Sequence, residues 1–282
     1  MAPSHIFIVG VGRSGTKFLM NVLNNHSQIN IAPETHCFST LLHHGLKKVI
    51  RKVGDLNQDS NLEILVHKMV NEEIFGTFWK PPFPLKQEKL LERFKTSSRK
   101  LQDIFTILID EHRILHNKLI AGEKTPSHLY HVDTLFEWFP NAKVIHIIRD
   151  PRDILASEIN KNLKPDYPLQ KGSFFYNWGL FMYVLIQWNL AIRLNRKYLQ
   201  KYPRNYTSIR YEDLLLNHEQ TVREVCNFLN VDFEEAMLHP PVVDSSFQNH
   251  KEHGTRKNSV PTIMIHLLEF SLRSKMKSFG YL

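Results

Sequence analysis

An apolar run, His5–Val9, breaks into Gly10-Val11-Gly12-Arg13-Ser14-Gly15-Thr16-Lys17 and then turns helical as far as about Asn24. No other stretch constrains the fold of this chain as strongly. Glycines let the backbone turn tightly, so successive N–H groups can point at one anion. The helix opening at Thr16 adds the partial positive charge of its N-terminus. Arg13, Ser14, Thr16 and Lys17 place further donors around the same point. The rest of the chain continues the alternation of short β-rich runs with longer helical stretches, which predicts a parallel sheet. Lys118–Ala121, Lys143–Ile148 and Asn205–Arg210 read as further strands, and His218–Leu229 as a helix. Leu129, Val132, Leu135, Phe136 and Phe139 recur at helical spacing, and Pro140-Asn141 ends that helix.

The loop nearly matches the nucleotide-triphosphate pattern G-x-x-x-x-G-K-[ST] but places Thr16 where the lysine belongs, and Phe18 follows Lys17. The hydroxyl that would hold Mg²⁺ is missing. The loop therefore suits a phosphate-like group held by protein cations. Gly10, Gly12 and Gly15 also fit G-x-G-x-x-G, but no acidic residue ends a second strand about twenty residues on, so a dinucleotide site is not expected. Between about 39 and 117 the chain is mostly helical and charged, with an aromatic and proline cluster at Phe78–Pro84. That cluster is either a packed connector or part of an acceptor pocket. No clear linker cuts the chain. Residues 1–282 are expected to form one α/β domain: a P-loop-like parallel β-sheet flanked by helices, with a helical insertion after the first βα unit.

The formal charge of +8 favours anions without choosing among nucleic acid, anionic lipid and an anionic cofactor. Basic residues are scattered and not interleaved with aromatics, which argues against nucleic acid. Cys37 and Cys226 stand alone, so neither a disulfide scaffold nor a cysteine-rich zinc site is expected. His112 and His116, and His128 and His131, have helical spacings but no carboxylate or thiol at ligand distance in sequence, so no metal is expected. The N-terminus has no basic n-region or long apolar stretch, which predicts a cytoplasmic protein unless the sequence is trimmed. Phe174–Ile192 contains no charged residue and is as long as a membrane span, but it holds Asn177, Gln187 and Asn189 and lies between strands of one sheet. It is expected to be a core helix.

Val11-Gly12-Arg13-Ser14-Gly15-Thr16 resembles the 5′-phosphosulfate loop of the sulfotransferases, P-R-S-G-T-T or P-K-S-G-T-T, with Gly12 in place of proline and Lys17 in place of the second threonine. The resemblance implies that Gly12, Arg13, Ser14, Gly15, Thr16 and Lys17 hold the phosphosulfate of 3′-phosphoadenosine 5′-phosphosulfate. Asn25-His26-Ser27 and Pro33-Glu34-Thr35-His36-Cys37-Phe38 are similar to the elements that follow in the tyrosylprotein and heparan-type enzymes, and Glu34 matches the catalytic base. Glu123-Lys124-Thr125-Pro126 resembles E-K-[ST]-P, whose lysine lies at the transferring group; His128 is close by. A buried strand delivers Arg149 to its end and Ser157 follows on a helix, a fork of donors and a neutral donor suited to phosphate. In the family this is the 3′-phosphate site. Tyr211-Glu212-Asp213-Leu214 resembles the Y-E-D-L element beside the adenosine, and His253-Gly254-Thr255-Arg256-Lys257 the basic loop completing the 3′ pocket. Implied are Glu34, Arg13 and Lys124 as catalytic residues, and in-line sulfuryl transfer to a hydroxyl of a carbohydrate, small molecule or tyrosyl peptide. A P-loop small-molecule kinase, or a nucleotide-binding protein without turnover, stays open as an alternative.

Overall fold

In the computed structural model, residues 3–38, 45–71, 86–160, 173–240 and 260–282 are described. Among these residues five strands lie in chain order: β1 (His5–Gly10), β2 (Ile29–Ala32), β3 (Ile120–Lys124), β4 (Lys143–Ile148) and β5 (Tyr206–Arg210). They form one parallel sheet with spatial order β2-β3-β1-β4-β5. The strand carrying the glycine loop is therefore central, with β3 on one side and β4 on the other. Their carboxyl ends share one edge, where open α/β sheets bind ligands.

Strand side chains alternate between the faces, and both faces are buried, as a parallel sheet requires. Ile6 and Ile8 join Ile145, Ile147, Leu19 and Leu23 in one core cluster. Phe7 and Val9 join Phe105, Leu135, Val144 and Trp188 in another. The first face is covered by α1 (Thr16–Asn24), α9 (Tyr211–Leu216) and α10 (His218–Leu229). The helical stretch expected between 39 and 117 supplies α2 (Leu46–Val53), α3 (Asp59–Val70), α4 (Gln87–Lys95) and α5 (Leu101–Leu115), which lie in sequence between β2 and β3. The cluster at 78–84 lies outside the described residues.

Strands β1 and β5 match the sequence reading to within one residue, and two boundaries differ by more. The strand expected over Lys118–Ala121 runs instead from Ile120 to Lys124, because β1 pairs with it from His5↔Ala121 through Ile8↔Lys124. The pairing carries Glu123 and Lys124 into the strand. The helix expected around Leu129–Phe139 divides into a 3-10 turn at Pro126–His131, with proline in its first turn, and α6 (Val132–Trp138). Strand β2, only four residues, had no distinct pattern of its own.

After α7 (Pro151–Ile159), the long α8 runs over Phe174–Lys201, nine residues beyond the uncharged segment. Ser173 caps it, its side chain accepting from the Tyr176 N–H. It buries Phe181, Val184, Trp188, Ala191 and Ile192 along one face, while Phe175, Met182 and Ile186 face outward. Among the described residues no helix is long and apolar enough to cross a membrane. The last helix, α11 (Thr262–Ser278), packs on α7 and α8.

Candidate active site

The loop leaves β1 with two residues in the left-handed region, Arg13 at φ 67° and Gly15 at φ 91°. The Ser14 N–H donates to the Val11 carbonyl at 3.2 Å, closing the turn, and Gly15 becomes the N-cap of α1. Only glycine fits there. A Cβ on Gly15 would stand 2.1 Å from Cδ2 of Tyr211. Gly12 is under no such demand, since a Cβ there would meet only Glu158 Oε1 at 3.8 Å and the Tyr183 hydroxyl at 3.9 Å. The departure from the family's proline thus sits where a side chain has room. Thr16 is buried at the first position of α1, and Lys17 is half-buried one residue on.

Three distant motifs meet behind this loop. Arg149, just past β4, donates from Nη1 to the Arg13 carbonyl at 2.9 Å, and its guanidinium lies 4.6 Å from the centre of the Tyr211 ring. Arg13 Nε donates to Ser157 Oγ at 3.0 Å. The Asp150 carboxylate, a rival claimant on Arg149, goes instead to Arg152, which also pairs with Glu269. Asp150 caps α7 by accepting from the Arg152 N–H. Behind it, the Asp150 N–H donates to Glu212 Oε1 at 3.0 Å and the Tyr281 hydroxyl to Glu212 Oε2 at 2.9 Å. Burial pushes the Glu212 carboxyl up. From α8, Trp188 Nε1 donates to the Arg149 carbonyl at 2.9 Å, fixing the strand end.

Two polar atoms here are buried without a hydrogen-bond partner, Ser14 Oγ and Arg149 Nε. Buried donors are normally satisfied. Beside a glycine turn at a helix N-terminus, these donors suit an anionic ligand. Phosphate groups of a nucleotide fit this donor set, while no group of three metal-liganding side chains occurs among the described residues.

On the other flank, Glu34 and Lys124 meet across β2 and β3. Lys124 Nζ is 2.5 Å from Glu34 Oε1, and His36 Nε2 is 3.3 Å from Glu34 Oε2. Lys124 is 2% exposed and ends β3 directly beside β1. His128 is fully buried, with Nδ1 3.0 Å from Glu123 Oε2. Arg256 and Lys257 lie outside the described residues. Sequence reasoning overlooked Glu123, Trp188, Glu212 and Tyr281. Glu123 and Glu212 each adjoin a residue singled out above, but Trp188 and Tyr281 carry no local signal.

The family model described as "Sulfotransferase family" matches residues 3–235. Protein-tyrosine sulfotransferase A of Caenorhabditis elegans is 23% identical over 83% of this chain and 52% of its own length. Across the curated relatives the chain spans from 26% to 68% of their length. Among solved structures, the sulfotransferase domain of the Synechococcus PCC 7002 olefin synthase aligns over 95% of this chain and 94% of its own, at 20% identity and TM-score 0.56. Mouse sulfotransferase SULT7A1 complexed with PAP (3′-phosphoadenosine 5′-phosphate) aligns over 97% and 84%, at 14% identity and TM-score 0.51. These solved structures share the α/β fold with it. By the match of its sequence to the family model, the chain belongs to the sulfotransferase family.

Proposed function

We propose that the protein transfers the sulfuryl group of 3′-phosphoadenosine 5′-phosphosulfate to a hydroxyl acceptor. The observation that carries this is that Arg13 of the glycine loop joins Arg149 and Ser157, its carbonyl accepting from one and its Nε donating to the other, while Lys124 at the end of the neighbouring strand β3 pairs with Glu34. The two anionic groups of one nucleotide, a 5′-phosphosulfate and a 3′-phosphate, would take the Ser14 loop and the donors of Arg149 and Ser157. The solved relative with bound PAP supports the same nucleotide.

In this reading the loop amides, Ser14, Thr16 and Lys17 hold the 5′ end. Arg149 and Ser157 hold the 3′-phosphate, and Tyr211 lies against the nucleoside. Glu34 accepts the acceptor's proton as its oxygen bonds to sulfur and the sulfur–oxygen bond to the phosphate breaks, releasing PAP. Lys124 Nζ, 2.5 Å from Glu34 Oε1, holds the carboxylate in place for that task. Lys124 and Arg13 face the charge that grows on the sulfuryl and bridging oxygens. Arg13 donates to Ser157 through Nε alone, at 3.0 Å. Positioning and electrostatics carry most of such a transfer, as in phosphoryl transfer. Arg256 and Lys257 are proposed to complete the 3′ pocket, and the chain to act as one domain.

Calorimetry with PAP in the presence of a chelator tests the nucleotide assignment. Binding should survive chelation and exceed that of adenosine 5′-phosphosulfate; equal affinity for the ligand without the 3′-phosphate would overturn it. Glu34→Gln should lower turnover by about 10²–10⁴ with little change in donor affinity. Near-normal turnover would remove Glu34 from the role. Tyrosyl peptides, carbohydrates and small alcohols, offered with radiolabelled donor, identify the acceptor.

A further inference from the structure

We infer that Glu123 is a positioning residue for Glu34, a buried carboxylate that holds the backbone from which the base projects. This rests on the reading of Glu34 as the base. Past β2 the chain enters neither helix nor sheet over Pro33–Cys37, yet its amides are not left to water. The Thr35 N–H donates to Glu123 Oε1 at 2.9 Å, the His36 N–H to Thr125 Oγ1 at 3.4 Å and the Cys37 N–H to Thr35 Oγ1 at 3.3 Å. Both threonine hydroxyls in turn donate to Glu123 Oε1, Thr35 at 3.0 Å and Thr125 more closely. A single oxygen thus anchors three consecutive amides, one directly and two through hydroxyls.

Glu123, Thr35, Thr125 and His128 are all 0% exposed. Burying a carboxylate is costly, and a loop could be tied down by neutral groups. Here three donors converge on Oε1, and Oε2 lies 3.0 Å from His128 Nδ1. Burial by itself would raise the Glu123 carboxyl, but His128 and the hydrogen bonds from Thr125 and Thr35 hold it below the usual carboxylate range. An ionised carboxylate is an acceptor only, which is what three donors converging on one oxygen need.

The anchored loop is strained at one point. His36 adopts φ 46°, a left-handed conformation rare for a non-glycine residue that persists where its surroundings over-determine it. Glu34 lies immediately before the anchored amides. Its carboxylate is held by His36 from that same turn and by Lys124, the neighbour of Glu123 on β3. Consecutive residues of one strand therefore act on the base from two directions. Glu123 fixes its backbone, and Lys124 meets its carboxylate.

The test is a double-mutant cycle on the full chain, with single-turnover sulfuryl transfer from radiolabelled donor to the hydroxyl probe that performs best among a simple phenol, a tyrosyl peptide and a sugar alcohol, and with PAP affinity by calorimetry. Glu123→Gln keeps the shape and removes the charge. It should slow transfer about 10- to 100-fold, no more than the lower end of the base's own contribution of about 10²–10⁴, and leave PAP affinity within about twofold, since the residues assigned to the nucleotide follow β1, β4 and β5. Added to Glu34→Gln, it should slow transfer no further. Thr35→Val, which deletes one donor and retains the buried charge, should slow transfer in the same direction by less and keeps the test open if Glu123→Gln folds poorly. Full turnover in the variants that fold, an equal loss in the Glu34→Gln background, or a parallel loss of PAP affinity overturns the proposal. If Glu34→Gln itself is active, the reading of the base fails first. An inactive Glu34→Gln with an unimpaired Glu123→Gln overturns the positioning role alone.

Discussion

At Gly15 a left-handed backbone and a close neighbour make the same demand. A non-glycine residue there carries a conformational cost of about 1–2 kcal/mol, and its Cβ would collide with the Tyr211 ring. Gly15→Ala should therefore push Tyr211 off its contact with Arg149 and weaken PAP binding about tenfold or more, read by calorimetry; unchanged affinity would mean that ring and loop move independently. Beyond the phosphate contact proposed for it, Arg149 holds the Arg13 carbonyl and lies over Tyr211. Arg149→Ala should weaken PAP binding by about 1.5–3 kcal/mol, the worth of a hydrogen bond to a charged group. Ser157→Ala, removing a neutral donor, should cost less. A reversed order would place the 3′-phosphate elsewhere. The placement of both residues was legible in the sequence, since a buried strand ending in arginine, followed by serine on a helix, is a local pattern. The bond from Arg13 to Ser157 was not, because it joins a loop to a helix 144 residues further along the chain.

Elements matter here by what their ends are tied to. The uncharged run over 174–192 is as long as a span, but its polar residues and its place between strands already pointed to a core helix, and α8 buries one face against the sheet. Its hold on the site is the Trp188 indole, 1% exposed, donating to the carbonyl of Arg149. Trp188→Phe retains most of the apolar ring but leaves that carbonyl buried without its donor. The expected loss is about 1–3 kcal/mol of stability in urea denaturation, accompanied by weaker PAP binding because the β4 end is released. A variant with wild-type PAP affinity would confine the tryptophan to packing. Strand β3 makes the complementary point. Its charged end, Glu123-Lys124, looked like a loop after a short strand, and register with β1 carried the pairing on to Lys124. Periodicity registers polarity, whereas strand extent is decided by whether a partner offers its N–H and C=O groups at that position.

Over the whole molecule, buried histidines link folding to pH. Burial pulls His146 down to about 4, with Nδ1 2.8 Å from the Tyr206 hydroxyl and 3.2 Å from Asn195 Oδ1. His131 is likewise lowered to about 4 and His112 to about 3, chiefly by burial. Each folded value lies below the unfolded value of about 6.5, so the unfolded chain binds more protons between the two. Stability is then fully present above pH 6.5 and is lost as pH falls toward 4. For His146 alone, the drop from pH 6.5 to pH 5 amounts to about 2 kcal/mol. Urea denaturation across that range should show the decline, and His146→Gln should flatten it by up to one proton per molecule; identical slopes would show that His146 titrates normally in the fold. By itself the sequence determined the strand–loop–helix that begins the sheet, the α/β alternation, the bounds of β4 and α10, and the order of the site motifs, because each of these is written in residues close together. Tertiary structure alone decided β2, the split of the helix around 129–139, the sharing of Asp150 with Arg152 and not Arg149, and the burial of Glu123 beneath the Glu34 turn. Burial and hydrogen-bond partnership are properties of neighbours in space, and for these residues the neighbours come from elsewhere in the chain or depend on which side chain the packing turns inward.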